Sequence, residues 1–178
     1  VALDLPDGAA ALEMARSLKG GAAWVKVGMT LFYAEGPQIV RELRSMGFNV
    51  FVDLKLNDIP HQVRGACRTL VRQGADMITV HATGGRAMLT AAAEELTAAS
   101  QKFGVKKPVL VAVTVLTSLD DDALSEIGCP ATAAEQVAAL ATLARECGCD
   151  GVVCSPGEAA AMRALLGEDA YVVTPGVR

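Results

Sequence analysis

Seven short apolar runs punctuate the 178-residue chain at nearly even intervals: VALDL (1–5), AWVKVG (23–28), NVFVDLK (49–55), MITVHA (77–82), VLVAVTVL (109–116), GVVCS (151–155) and YVVTPGV (171–177). Helical stretches are predicted between them, over 8–19, 35–46, 61–73, 86–100, 133–147 and 158–166. Gly47, Gly74, Gly148 and Gly167 follow four of these directly, as expected where a helix stops. Continuous apolar strands alternating with helices imply a parallel sheet covered by helices, because each such strand must bury both faces. That leaves a doubly wound sheet or a closed barrel. Polar residues recur where the runs end: Asp4, Lys26, Asp53 with Lys55, His81, Thr117 and Ser118, and Ser155. In a barrel these ends converge on one mouth, whereas an open sheet spreads them along a line. No G-x-G-x-x-G follows the first run, as a dinucleotide fold would want. The expected fold is therefore α/β, a (β/α)8 TIM-type barrel. A complete barrel typically takes about 250 residues. Residues 1–178 are expected to form a single barrel domain with about seven strands, the eighth missing and the C-terminus incomplete.

The chain is 52% hydrophobic and carries a net charge of −4, so a core is easily built and no basic stripe offers itself to nucleic acid. Cysteines at 67, 129, 147, 149 and 154 form an odd set without a secretory signal, which points to reduced thiols and a cytoplasmic protein. Cys147-Gly-Cys149 lacks a second ligand pair and is expected to be structural, not a metal site. No apolar run approaches the roughly 20 residues that span a bilayer, so no membrane partner is expected.

Residues 51–60, FVDLKLNDIP, place Asp53, Lys55 and Asp58 where an apolar strand runs out. Strand side chains alternate with period two, so Asp53 and Lys55 are expected on one face. Ions at a strand end are costly to desolvate unless paired, which suggests a reaction site. A structural salt bridge at the rim is the plainer alternative, as is a snorkelling role for Lys26. His81 reads as a hydrogen-bonded residue of the mouth and His61 as a solvated helix start. Thr117 and Ser118 read equally well as a turn, Asp120–Asp122 as a solvated loop or helix cap, and Trp24 and Phe48 as core.

The segment D-L-K-L-N-D-I-P (53–60) resembles the D-x-K-x-x-D-I signature of the orotidine 5′-phosphate decarboxylases. V-A-L-D (1–4), V-K-V-G-M (25–29), V-H-A (80–82), L-T-S (116–118), D-G-V-V-C-S (150–155) and V-T-P-G-V-R (173–178) fall in that family's order, touching every predicted strand. The resemblance implies decarboxylation of orotidine 5′-phosphate to uridine 5′-phosphate in pyrimidine biosynthesis, with no cofactor and no metal. It implies that Lys55 donates a proton to C6, that Asp53 crowds the substrate carboxylate and holds Lys55, and that Lys26 pairs with Asp53 and reaches the ribose. Asp4 would bind a ribose hydroxyl, Thr117 the pyrimidine and Arg178 the phosphate end. Asp58 and Ile59 would act in the neighbouring subunit's site, completing a Lys26–Asp53–Lys55–Asp58 chain of alternating charges and implying a homodimer whose loops 56–62 cross the interface. Residues 119–129 are a candidate lid. Gln62 stands where relatives often have a substrate-contacting Thr, and Asn57 where many have His. Two rivals follow: a magnesium-dependent sugar-phosphate decarboxylase or synthase of the same superfamily, which usually carries Glu where this chain has Lys26, and an inactive barrel fragment.

Overall fold

In the computed structural model, which describes residues 1–176, the sheet has six parallel strands: β1 (Trp24–Gly28), β2 (Asn49–Leu56), β3 (Met77–His81), β4 (Val109–Val113), β5 (Gly151–Val153) and β6 (Tyr171–Val173). Each pairs with its neighbours in sequence, β1 through β6 in order. A doubly wound sheet reverses its strand order partway; here every crossover advances in one direction, as a barrel requires. The sheet curls into part of a barrel, so that Val1, Ala2 and Asp4 beside β1 line one cavity with Val153 of β5, Val173 of β6 and residues 174–176.

The expected first strand is reduced to a single bridge. Ala2 pairs with Lys26, and the Leu3 N–H donates to the Lys26 carbonyl while the Lys26 N–H donates to that of Val1. The segment runs parallel to β1 as a strand would, but Pro6 and the helix cap at Asp7 end it at once.

Period two sorts the strands. Val25, Val27, Val50, Val52, Ile78, Val80, Leu110, Ala112 and Val152 are buried in the core shared with the helices. Lys26, Phe51, Asp53, Met77, Val153 and Val173 face the curled interior. Trp24, expected in the core, is exposed at the edge of this interior, whereas Phe48 is buried.

The helices are α1 (Gly8–Ser17), α2 (Met29–Glu35), α3 (Gln38–Ser45), α4 (Pro60–Gln73), α5 (Gly85–Phe103), α6 (Asp121–Glu126), α7 (Ala133–Glu146) and α8 (Ala159–Leu166). The helix expected over 35–46 is α3, its start set by Gly36 at φ +67° and Pro37. A further helix that the sequence did not announce, α2, precedes it and begins directly at the end of β1. Residues 119–129 are not open loop. Asp120 caps α6 by accepting from the Ala123 N–H at 2.9 Å, and Asp121 accepts from the Ala133 N–H at 2.7 Å. The acidic run is thus occupied with helix ends.

One device recurs at the strand starts. Asp76, just before β3, accepts from the Val50 N–H of β2 at 2.8 Å and pairs with Arg44. Asp150, just before β5, accepts from the Leu110 N–H of β4 at 2.8 Å and from Lys107 at 2.8 Å. Each follows a helix-ending glycine by two residues (Gly74-Ala75-Asp76 and Gly148-Cys149-Asp150). Each carboxylate closes a backbone donor at the beginning of the preceding strand and so fixes register at the end of the sheet opposite the strand C-termini.

Candidate active site

Four charges meet where β1 and β2 open into the interior. The Lys26 ammonium lies 3.3 Å from Asp4 Oδ1 and 3.4 Å from Asp53 Oδ2, and Lys55 Nζ lies 3.0 Å from the same Asp53 Oδ2. The sequence Asp4–Lys26–Asp53–Lys55 alternates in sign and sums to zero. Side-chain exposure is 63% for Asp4, 25% for Lys26, 13% for Asp53 and 28% for Lys55. Burial is deepest for Asp53 and next for Lys26, the two ions with opposite neighbours on both sides, the arrangement in which desolvation is best offset. Gly28 lies beside Asp53 in the β1–β2 register. A Cβ there would come within 2.9 Å of Asp4 Oδ1, so the absent side chain is what lets Asp4 reach Lys26.

The expected period-two relation between Asp53 and Lys55 is not what joins them. Val52 is opposite Ile78 and Leu56 is opposite Val80, so four steps along β2 match two along β3. Two residues are extra, and Lys55 adopts φ +51°, the one non-glycine residue with positive φ among those described. A left-handed lysine costs about 1–2 kcal/mol, and such strain persists only where surroundings over-determine it. The bulge turns the Lys55 side chain back onto Asp53.

Thr79, which the sequence reading passed over, ties this together. Its hydroxyl donates to Asp53 Oδ1 at 3.0 Å and accepts from the Lys55 N–H at 2.8 Å. It is fully buried. The signal was a single hydroxyl inside an otherwise apolar strand.

Asp4, Lys26, Asp53 and Lys55 line a cavity of about 600 Å³ with Phe51, Val153, Val173 and Thr174. Asp58 does not belong to it. It is exposed, accepts from the Ile59 N–H at 2.7 Å, and lies in a separate groove of about 340 Å³ with Tyr33, Asn57, Gln62 and the far side of Lys55. Within one chain, then, the expected Lys26–Asp53–Lys55–Asp58 series stops at Lys55, and Asp4 supplies the fourth charge. Lys55 forms a wall common to both spaces. Ile59 is exposed at the start of α4. Thr117 is exposed in the turn after β4 and does not line the Asp53 cavity. Arg178 lies outside the described residues. His81 lines a third cavity with Asn57, Thr83 and Thr114. Burial chiefly, and then the Lys55 ammonium, lower its pKa, with Asp53 pulling the other way. Its imidazole is neutral near pH 7. Cys67, Cys147 and Cys154 are buried thiols, and burial pushes Cys67 up to about 12.

Known proteins resemble this chain over its whole length. The family model described as orotidine 5′-phosphate decarboxylase / HUMPS family matches residues 1–178. The chain is 50% identical to orotidine 5′-phosphate decarboxylase of Moorella thermoacetica over 179 residues, covering all of this chain and 71% of that protein. It is 47% identical to the Chromobacterium violaceum enzyme of the same name, covering 70% of it. The crystal structure of the Lactobacillus acidophilus orotidine 5′-phosphate decarboxylase superposes with a TM-score of 0.88 at 40% identity, over 99% of this chain and 80% of that one.

Proposed function

The chain belongs to the orotidine 5′-phosphate decarboxylase family, and from that premise we propose how its residues divide the work of turning orotidine 5′-phosphate into uridine 5′-phosphate and carbon dioxide. The observation that carries the assignment is the Lys26–Asp53–Lys55 contact series at the strand ends. Departure of carbon dioxide breaks the bond between C6 and the carboxylate carbon and leaves the electron pair on C6. Lys55, its ammonium aimed from the bulge into the cavity, stabilises that charge and passes a proton to C6. The amine then regains a proton from water. Asp53 presents its carboxylate to the substrate's and disfavours the bound ground state, while Thr79 and two ammonium groups keep it in place. Asp4 and Lys26 hold the ribose, Thr117 meets the pyrimidine, and Arg178 meets the phosphate. The scheme calls on no cofactor.

The metal-dependent alternative finds no support. Where Asp4 and Asp53 converge, the Lys26 ammonium already bridges them at 3.3 and 3.4 Å, and a divalent cation would have to share those oxygens with it. The rates of wild type and Lys55→Ala, followed by loss of ultraviolet absorbance as substrate becomes product, test the central assignment. A fall of at least about a thousandfold is expected, and equal rates would sink it.

Asp58, Ile59 and Gln62 act in the site of a second subunit, in a homodimer related by a two-fold axis. Ile59 and Tyr33 support this reading, being 63% and 76% exposed beside the groove that holds Asp58 and Gln62. Asp58 also lines a different space from its own Asp53. Mixing inactive Asp58→Ala subunits with inactive Lys55→Ala subunits should restore activity through one intact site per mixed dimer. Confirmed subunit exchange without recovery contradicts a shared site. Among the described residues no helix is long and apolar enough to cross a membrane, and the cytoplasm is the proposed location.

A further inference from the structure

We propose that Thr79 is a positioning residue of the decarboxylation machinery: its one hydroxyl sets both the Asp53 carboxylate and the left-handed backbone of Lys55. The inference rests on the reading of Lys55 as proton donor. Thr79 shares inward parity with Met77 and His81 on β3, and in the register that holds up to Val52 and Ile78 it falls opposite Asp53. Beyond that point the two extra residues of β2 carry the Lys55 N–H off the ladder of β3. A buried amide without a partner is strongly disfavoured. The Thr79 Oγ1 accepts it at 2.8 Å.

That acceptance fixes the direction of the second bond. The hydroxyl has a single proton, and it goes to Asp53 Oδ1 at 3.0 Å, which must accept as a carboxylate. Asp53 Oδ2 is thereby left for Lys55 and Lys26. Lys55 is consequently held at two places, its backbone by the Thr79 hydroxyl directly and its ammonium by the Asp53 carboxylate that the same hydroxyl orients through its other oxygen. A β-branched side chain, stiff at χ1, suits the task. Thr79 is fully buried and does not line the cavity, so it touches no substrate and acts through its two partners.

A merely structural threonine would change stability and leave turnover alone. The test measures kcat, KM and melting temperature for wild type, Thr79→Val and Thr79→Ser. Thr79→Val keeps the shape and removes the hydroxyl. It should lower kcat about 10- to 100-fold, the range lost when a group is misplaced by about 1 Å, with KM within about threefold of wild type. Thr79→Ser should keep kcat within about threefold. A folded Thr79→Val enzyme with kcat within about twofold of wild type overturns the proposal. Should Thr79→Val not fold, Thr79→Cys replaces it, being close in size and a far weaker hydrogen-bonding group; equal kcat for Cys and Ser then overturns the proposal. Absent turnover in wild type sinks the decarboxylation reading instead. In that event a crystal structure of the variant decides about Thr79, since retention of the 3.0 Å Lys55–Asp53 contact without the hydroxyl overturns it.

Discussion

Replacing Lys26 by Met deletes one ammonium and keeps most of the apolar stem, so it separates an electrostatic role from a packing one. In the structure the Lys26 charge faces Asp53 at 3.4 Å and Asp4 at 3.3 Å. At an effective dielectric of about 20, a pair at that distance is worth about 5 kcal/mol before solvation is counted. The side chain is only a quarter exposed, so much of this is offset by the desolvation the ammonium no longer suffers. Asp4 is mostly in water and recovers its hydration. Asp53 is not, but it keeps Lys55 and Thr79. The net loss of stability is therefore about 1–2 kcal/mol, or about 2–8 °C in Tm for a chain of this length. Catalysis should suffer more. The four-charge array passes from neutral to −1 exactly where an anionic substrate must enter, and its hydroxyl-binding donor is gone. A fall in kcat/KM of about 100- to 1000-fold is expected, comparable to removal of one preorganised donor. Lys26→Arg should recover part of it. The assay is steady-state decarboxylation by ultraviolet absorbance at low and high salt, together with a thermal melt. Lys26→Met with wild-type kcat/KM and an unchanged salt response would refute the array and return Lys26 to a snorkelling role.

Two further outcomes concern stability. Asp76→Ala leaves the buried Val50 N–H without its acceptor and Arg44 without its partner; it should cost about 2–3 kcal/mol in denaturant unfolding while kcat stays within about twofold, and Asp76→Asn should cost less. His81 titrates below its ordinary range when folded, so the unfolded chain takes up the proton first. Its contribution to stability is complete above the ordinary histidine pKa of about 6.5 and is lost as pH falls through the lowered folded value. His81→Gln should therefore flatten the decline of the denaturation midpoint between about pH 8 and about pH 5.5, and parallel curves for the two proteins would contradict this.

The barrel-type sheet could be read from the chain because its strands are continuous apolar runs separated by capped helices, and no tertiary contact overrides that pattern. VALDL failed as a strand only because Pro6 and the Asp7 cap leave it no length to pair. Helix α2 was invisible because Met-Thr-Leu-Phe-Tyr mixes β-branched and aromatic residues with no polar stripe. Its geometry comes from packing and from the break at Gly36. In the site, Asp4, Lys26, Asp53 and Lys55 announced themselves as charges at the ends of apolar runs. Thr79 did not, since a threonine in a strand is ordinary β-propensity. The bulge at Lys55 left no trace either. A lysine with positive φ has no sequence signal, because the conformation is imposed by the hydroxyl across the strand and not by lysine's own preference.

The recurrence of Asp76 and Asp150 has a bearing on how such a chain can diverge. Both clamps sit at the start of their strands and recruit a cation of their own, Arg44 or Lys107. Neither shares an atom with the cluster around Asp53. Substitutions at the strand ends can thus trade one chemistry for another while the foundation keeps its register, and the left-handed lysine can be strained at one end without loosening the other. A scaffold organised in this way tolerates experiment at its mouth, and lineages starting from it are free to change what they act upon before they change how they fold.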